Sequence, residues 1–240
     1  MLIKTRGIVL RALKYSETSI ICDVFTERKG LRSYIISGVR SRKARVSAGL
    51  LQPMSLVDMV AYHRDDKELS RIKEIKAAHI YQSIPFDVLK GAVGLFMVEL
   101  AQKTIRGTEE HPRLFQFLFE SFQYLDTTPQ HVANLHLHFM LGLSAFLGFL
   151  PGSLPGVVCR YFDLKEGLFI AEQSRHPHVL NEELSQLLYQ LLQTDLRGCH
   201  EIKMNREIRN ELLEQMIIFY RLHIENFPSL NAHTILKEVF

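Results

Sequence analysis

Four cations fall within six residues at Arg40, Arg42, Lys43 and Arg45, in the segment Ser37-Gly38-Val39-Arg40-Ser41-Arg42-Lys43-Ala44-Arg45. Lysine and arginine at that density, set among serine and glycine, suit one kind of chemistry. They neutralise phosphates and release the counterions condensed on a polyanion. Lys4, Arg6, Arg11, Lys14, Arg28, Lys29 and Arg32 precede them, with Tyr15, Phe25, Tyr34 and Tyr62 interleaved. A base can stack on an exposed ring for ~1–3 kcal/mol, whereas a ring in a core offers it nothing. The eleven cations and Tyr34 form the candidate nucleic-acid-contacting set. No side-chain pattern suggests reading of base edges, so little sequence specificity is expected.

Charge distribution supports this reading. Residues 1–80 hold 16 Lys and Arg against 8 Asp and Glu, a net of +8, while the whole chain of 240 residues carries only +3. A basic first third on a slightly acidic remainder is the footprint of a polyanion-binding module on a scaffold. Other chemistries lack their residues. His131, His136 and His138 lie close in sequence, but residues two apart on a helix face different sides and residues seven apart are two turns apart. His176 and His178, Cys159, and Cys199 beside His200 complete no ligand set, so no metal is expected. Gly38-Val39-Arg40-Ser41 lacks phosphate-loop spacing, and no Gly-x-Ser-x-Gly elbow occurs. The pairs Asp65-Asp66, Glu109-Glu110 and Glu182-Glu183 sit at turns or helix starts, where the macrodipole accounts for them. Neither enzyme activity nor a cofactor is expected.

The elements that must position the cations are short and rich in β-branched and aromatic residues. Strands are predicted at Ile3–Leu10, Ser19–Thr26, Arg32–Ser37, Met54–Tyr62 and Leu69–Ala77. Five strands at such spacing suggest a small barrel of the OB type, within an α+β chain. Residues 1–80 are read as that domain and residues 81–240 as a helical one with an irregular segment at 151–178. Helices are expected at Phe86–Arg106, from Pro112 to Leu125, from Gln130 to Gly148 with Thr128 as N-cap, and at Asn181–Thr194, Asn205–Glu225 and Ala232–Phe240. A hairpin is expected through Tyr161–Leu164 and Gly167–Ile170. No apolar run approaches the ~20 residues of a membrane span. Three widely spaced cysteines and no secretory signal at the start point to a reducing cytoplasm.

Thr5-Arg6-Gly7-Ile8-Val9-Leu10, Tyr15-Ser16-Glu17-Thr18-Ser19 and Asp23-Val24-Phe25-Thr26 with Gly30 closely resemble the opening of the bacterial recombination mediator family RecO. Gly38-Val39-Arg40-Ser41-Arg42-Lys43 is similar to that family's Gly-x-Arg-Ser-basic segment, and Leu50-Leu51-Gln52-Pro53-Met54 to its step into the fourth strand. Phe139 through Phe149, and Phe219-Tyr220-Arg221-Leu222-His223 with Leu236, resemble its central and closing helices. The resemblance implies an OB-fold on a helical body, binding of single- and double-stranded DNA, and annealing of complementary strands. It also implies partnership with RecR and with the acidic tail of single-strand-binding protein, to help load RecA. Many members carry a four-cysteine zinc module after the central helix, where this chain keeps only Cys159. An acidic tail with apolar residues needs an apolar pocket rimmed by cations, and Leu143, Phe146, Leu147 and Phe149 with Arg106, Arg113 and Arg160 are the candidates. Binding of RNA by the barrel, and docking of an acidic protein on its basic face, remain open alternatives.

Overall fold

The computed structural model describes residues 1–39, 48–62, 69–153 and 160–240. Arg40, Arg42, Lys43, Arg45 and Cys159 lie outside the described residues. The chain divides into two compact units, Met1–Asp87 with Val98–Thr127, and Val88–Met97 with Thr128–Phe240.

In the first unit the strands are β1 (Leu2–Lys14), β2 (Ile20–Thr26), β3 (Gly30–Ile36), β4 (Leu56–Tyr62) and β5 (Leu69–Ala77). They close into a barrel in the order β1-β2-β3-β5-β4. Neighbours are antiparallel except β3 and β5, which run parallel. This is the closed order of an OB-fold. Period-two alternation supplies the interior: Val9, Cys22, Val24, Tyr34, Ile36, Val57, Met59 and Ile72 point inward as one apolar cluster. Gly7 lacks a side chain because its Cβ would meet a methyl of Val24 at 2.6 Å. A bulge between Val9 and Arg11 breaks the alternation, so that Ile8, Val9 and Leu10 are all buried. β1 outruns its predicted end by four residues, pairing as far as Lys14 with Ile20. β4 starts later than expected because Met54 takes a positive φ of 75°; its N–H donates to the Val9 carbonyl at 2.8 Å, a turn rather than a strand.

Helix α1 (Val88–Thr104) runs from one unit into the other, and α2 (Pro112–Thr127) belongs to the first. Phe115 of α2 meets Phe25 of β2 at 6.1 Å between centroids. Asp126, near the end of α2, holds the segment after β5. Its carboxylate accepts from the N–H groups of Gln82, Ser83 and Ile84 at 2.8–3.1 Å and from His79 Nε2 at 2.9 Å. Burial alone would raise its pKa, but these donors outweigh burial and hold it at about 2.

The second unit packs α3 (Leu135–Leu147), α4 (Glu182–Gln193), α5 (Arg206–His223) and α6 (Ala232–Val239) with a small sheet. That sheet joins β6 (Gly152–Ser153), β7 (Tyr161–Asp163), β8 (Leu168–Ile170) and β9 (Val179–Leu180) in the order β6-β8-β7-β9. The expected hairpin is its β7-β8 pair, with Phe162 and Phe169 centroids 4.8 Å apart. Asn181 and Asn205 cap α4 and α5, each accepting from an N–H at 2.8 Å. α3 starts five residues later than predicted. Thr128 accepts from Gln130 N within a turn. Asn134 gives its side chain away from the helix, donating to the carbonyls of Cys199 and Ile202. α3 is nonetheless the core helix, with Leu137, Phe139, Met140 and Leu143 fully buried and the Tyr220 hydroxyl of α5 donating to the Met140 carbonyl at 2.6 Å.

Candidate nucleic-acid interface

Strand polarity decides which cations reach solvent. Lys4, Arg11 and Lys14 on β1, and Arg28 in the β2–β3 turn, are exposed. Lys4 and Lys14 stand ten residues apart, roughly 30 Å along the strand, so the positive charge follows the length of β1. Arg11 keeps only a loose pairing, 3.8 Å from Asp23, and its side chain is half exposed. Lys29 is 3.4 Å from Glu110. Arg32 is half-buried, its Nε donating to the Lys29 carbonyl at 3.3 Å.

Two members of the expected set are taken up by the fold itself. Arg6 serves the fold. Its Nε and Nη2 donate to both carboxylate oxygens of Glu27 at 3.0 and 2.7 Å, and Nη2 also reaches Gln116. Its guanidinium stands over the rings of Phe119 and Phe115 at 4.9 and 5.3 Å. The hydrogen bond from Arg6 lowers the Glu27 pKa, and a guanidinium so engaged has few free donors for a phosphate. Tyr34 lies in the barrel interior, 2% exposed, and burial pushes its hydroxyl up to about 12. It offers no face to a base. Phe25 is equally buried.

The residues expected to form a tail pocket are divided between the two units. Leu143 is fully buried in α3. Phe149 packs against Phe219 and Tyr220 and stacks on His223 with centroids 5.3 Å apart. Arg160 pairs with Glu182 at 2.9 Å and covers the Tyr161 ring. Phe146 is 42% exposed. Arg106 and Arg113 are exposed and belong to the first unit, whereas Leu143, Phe146, Leu147, Phe149 and Arg160 belong to the second.

Sequence reasoning missed another surface in the second unit. An open cavity of about 650 Å³ there has Ile202, Met204 and Phe240 among its apolar walls and His200, Lys203 and Arg209 among its polar ones. No carboxylate side chain lines it among the described residues. Arg209 is half-buried; its Nε donates to Asn134 Oδ1 at 3.0 Å and its Nη2 to the Met204 carbonyl at 2.7 Å. Burial lowers its pKa. A partly desolvated cation among neutral partners favours an anion beside it. Lys203 lies in the loop before α5 and Arg209 in its first turn, and no motif in that stretch marks them as a site.

Four cysteines cannot be assembled from the three in this chain. Cys22 and Cys199 are buried, and burial raises both thiols. Among the described residues no three His, Cys, Asp or Glu side chains converge as metal ligands. A four-cysteine zinc module therefore does not fit. The β7-β8 segment is organised instead by Asp163, which accepts from the N–H groups of Lys165 and Glu166, from the Ser174 hydroxyl, and from His176 at 3.0 Å.

A closed OB barrel with exposed cations along one strand places the chain in the class of OB-fold proteins, whose barrels bind oligonucleotides and oligosaccharides. Comparison with known proteins narrows the class. The family described as Recombination protein O N terminal matches residues 1–81, and Recombination protein O C terminal matches residues 85–231. Over the full length of both chains the sequence is 38% identical to DNA repair protein RecO of Bacteroides fragilis. It is 36% identical to that of Christiangramia forsetii and 34% to that of Phocaeicola vulgatus, again over the whole of each chain. The chain belongs to the RecO family of DNA repair proteins. Among the described residues no helix is long and apolar enough to cross a membrane.

Proposed function

We propose that this chain is a non-enzymatic recombination mediator of the cytoplasm. It binds single- and double-stranded DNA on its barrel and anneals complementary strands. With RecR, it helps load RecA onto DNA coated by single-strand-binding protein. The observation that carries the reading is the net charge of +8 on the segment that folds as the barrel of a RecO-family chain. Two complementary strands repel each other, and a surface that neutralises both raises their encounter rate with no chemical step.

Annealing of two complementary oligonucleotides across a salt series tests it. Replacing Lys4, Arg11, Lys14 and Arg28 by alanine removes up to four phosphate contacts. The slope of log K against log salt for a single strand should then flatten by roughly 3 units. The same exchange at Arg40, Arg42, Lys43 and Arg45 should act in the same direction. A wild-type protein that neither binds nor anneals DNA overturns the proposal, and a preference for RNA in competition favours the RNA-binding alternative.

For the acidic tail of single-strand-binding protein, the cavity of the second unit suits the chemistry best. It combines apolar walls with Lys203 and the half-buried Arg209. Charge reversal at Lys203 should weaken a labelled tail peptide several-fold. Loss on reversal of Arg106, Arg113 and Arg160 instead, with Lys203 indifferent, would move the contact elsewhere.

A further inference from the structure

Four rings fall in the barrel segment, and the fold divides them. Phe25 and Tyr34 are core, whereas Tyr15 is 65% and Tyr62 47% exposed. Tyr15 stands at the end of β1 in a turn with paired backbone. Its N–H and that of Ser16 donate to the Ser19 carbonyl at 3.0 and 3.3 Å, and Ser19 N–H donates to the Ser16 hydroxyl at 3.2 Å. The turn is tied in turn to β3's exit, since Val39 N–H donates to the Thr18 carbonyl at 3.0 Å. The cation-dense segment begins at the next residue, Arg40. Among the described residues Tyr15 has neither a ring contact nor a hydrogen bond from its hydroxyl. Tyr62 stands at the far end of β1, opposite Leu2.

We propose that Tyr15 is a stacking platform for an unpaired base of single-stranded DNA. Lys14 and Arg11, exposed on the same strand, supply cations for the phosphates that flank it. The assignment rests on the DNA-binding reading above and goes beyond it by separating two modes of binding. The β1 cations attract any phosphate backbone, single or double. An exposed ring held on an ordered turn gains only from a base with a free face. In a duplex both faces are taken, so Tyr15 contributes to single strands alone and biases the barrel toward gapped DNA.

The chain contains no tryptophan, so Tyr15→Trp introduces one tryptophan at the turn, excited selectively at the red edge where tyrosine does not absorb. Oligothymidine should quench its emission, while an abasic oligonucleotide of equal length should bind and leave it bright. Tyr15→Ala should weaken oligothymidine roughly 5- to 150-fold, with duplex affinity and salt slope unchanged. Equal emission with thymidine and abasic strands, while anisotropy of a labelled oligonucleotide shows both bound, overturns the platform and leaves DNA binding standing. Quenching of Tyr62→Trp with Tyr15→Trp silent overturns the assignment to Tyr15. Absence of any oligonucleotide binding by the wild-type chain removes the DNA-binding reading and this inference with it.

Discussion

Asp126 shows how one side chain can hold a whole segment. Three backbone N–H groups and His79 converge on a carboxylate that is itself out of water. An amide in its place keeps one acceptor and turns an NH₂ group toward those donors. Asp126→Asn should therefore cost about 2–3 kcal/mol, read from the denaturant midpoint at neutral pH. The folded pKa of about 2 lies below the ordinary 3.8. The carboxylate's contribution is thus complete above pH 3.8 and disappears as pH falls through 2. Gly30 is a second single-residue constraint. It has a φ of +56°, and a Cβ there would meet the Glu109 carbonyl oxygen at 2.2 Å. Gly30→Ala forces an L-residue into a left-handed turn against immovable backbone. A fall in melting temperature of several degrees is expected, and an unchanged value would mean the turn can move.

At the scale of elements, α2 acts as part of the barrel's body. Phe115 meets Phe25 of β2, Arg6 of β1 lies over Phe115 and Phe119, and Gln116 accepts from that same guanidinium. Truncating a fully buried ring at such a joint costs about 3–5 kcal/mol. Phe115→Ala should accordingly speed hydrogen exchange in β1 and β2 as well as in α2. Exchange confined to α2 would show the barrel to be indifferent to it. Arg6→Ala should lower stability without altering the salt slope of DNA binding, the reverse of what Lys14→Ala should do.

For the whole molecule, acid should act on the two units in sequence. His136 in α3 is 1% exposed, with neither ring nitrogen in hydrogen-bond geometry. Burial, and then the charge of Arg209, outweigh the nearby Ala133 backbone and depress its pKa to about 3, against 6.5 when free. The unfolded chain takes up that proton first, so the stability this neutral ring represents is present above pH 6.5 and is lost progressively toward 3. The Asp126 clamp of the first unit loosens only below 3.8. Hydrogen exchange measured across pH should show the helical unit softening before the barrel, and His136→Phe should flatten the 6.5-to-3 limb. Simultaneous loss of both units would contradict this.

Much of this organisation is legible along the chain, for reasons of period and charge. Alternation in β2 and β5 and the asparagines before α4 and α5 are local signals, readable because strand pleat and helix capping act over a few residues. The surplus of cations is a sum over residues 1–80 and needs no folding to be counted. Whether a given cation or ring is free to act depends on partners distant in sequence. Arg6 is engaged by Glu27 and Gln116, Tyr34 by the barrel interior, and the Asn134 side chain by carbonyls more than sixty residues away. Those contacts also moved the start of α3 and brought Lys203 and Arg209 to one cavity. Composition and periodicity determined a basic barrel on a helical scaffold. Only the closing of that barrel, and the packing of each unit, decided which of its charges and rings still face the solvent, because burial depends on all the elements at once.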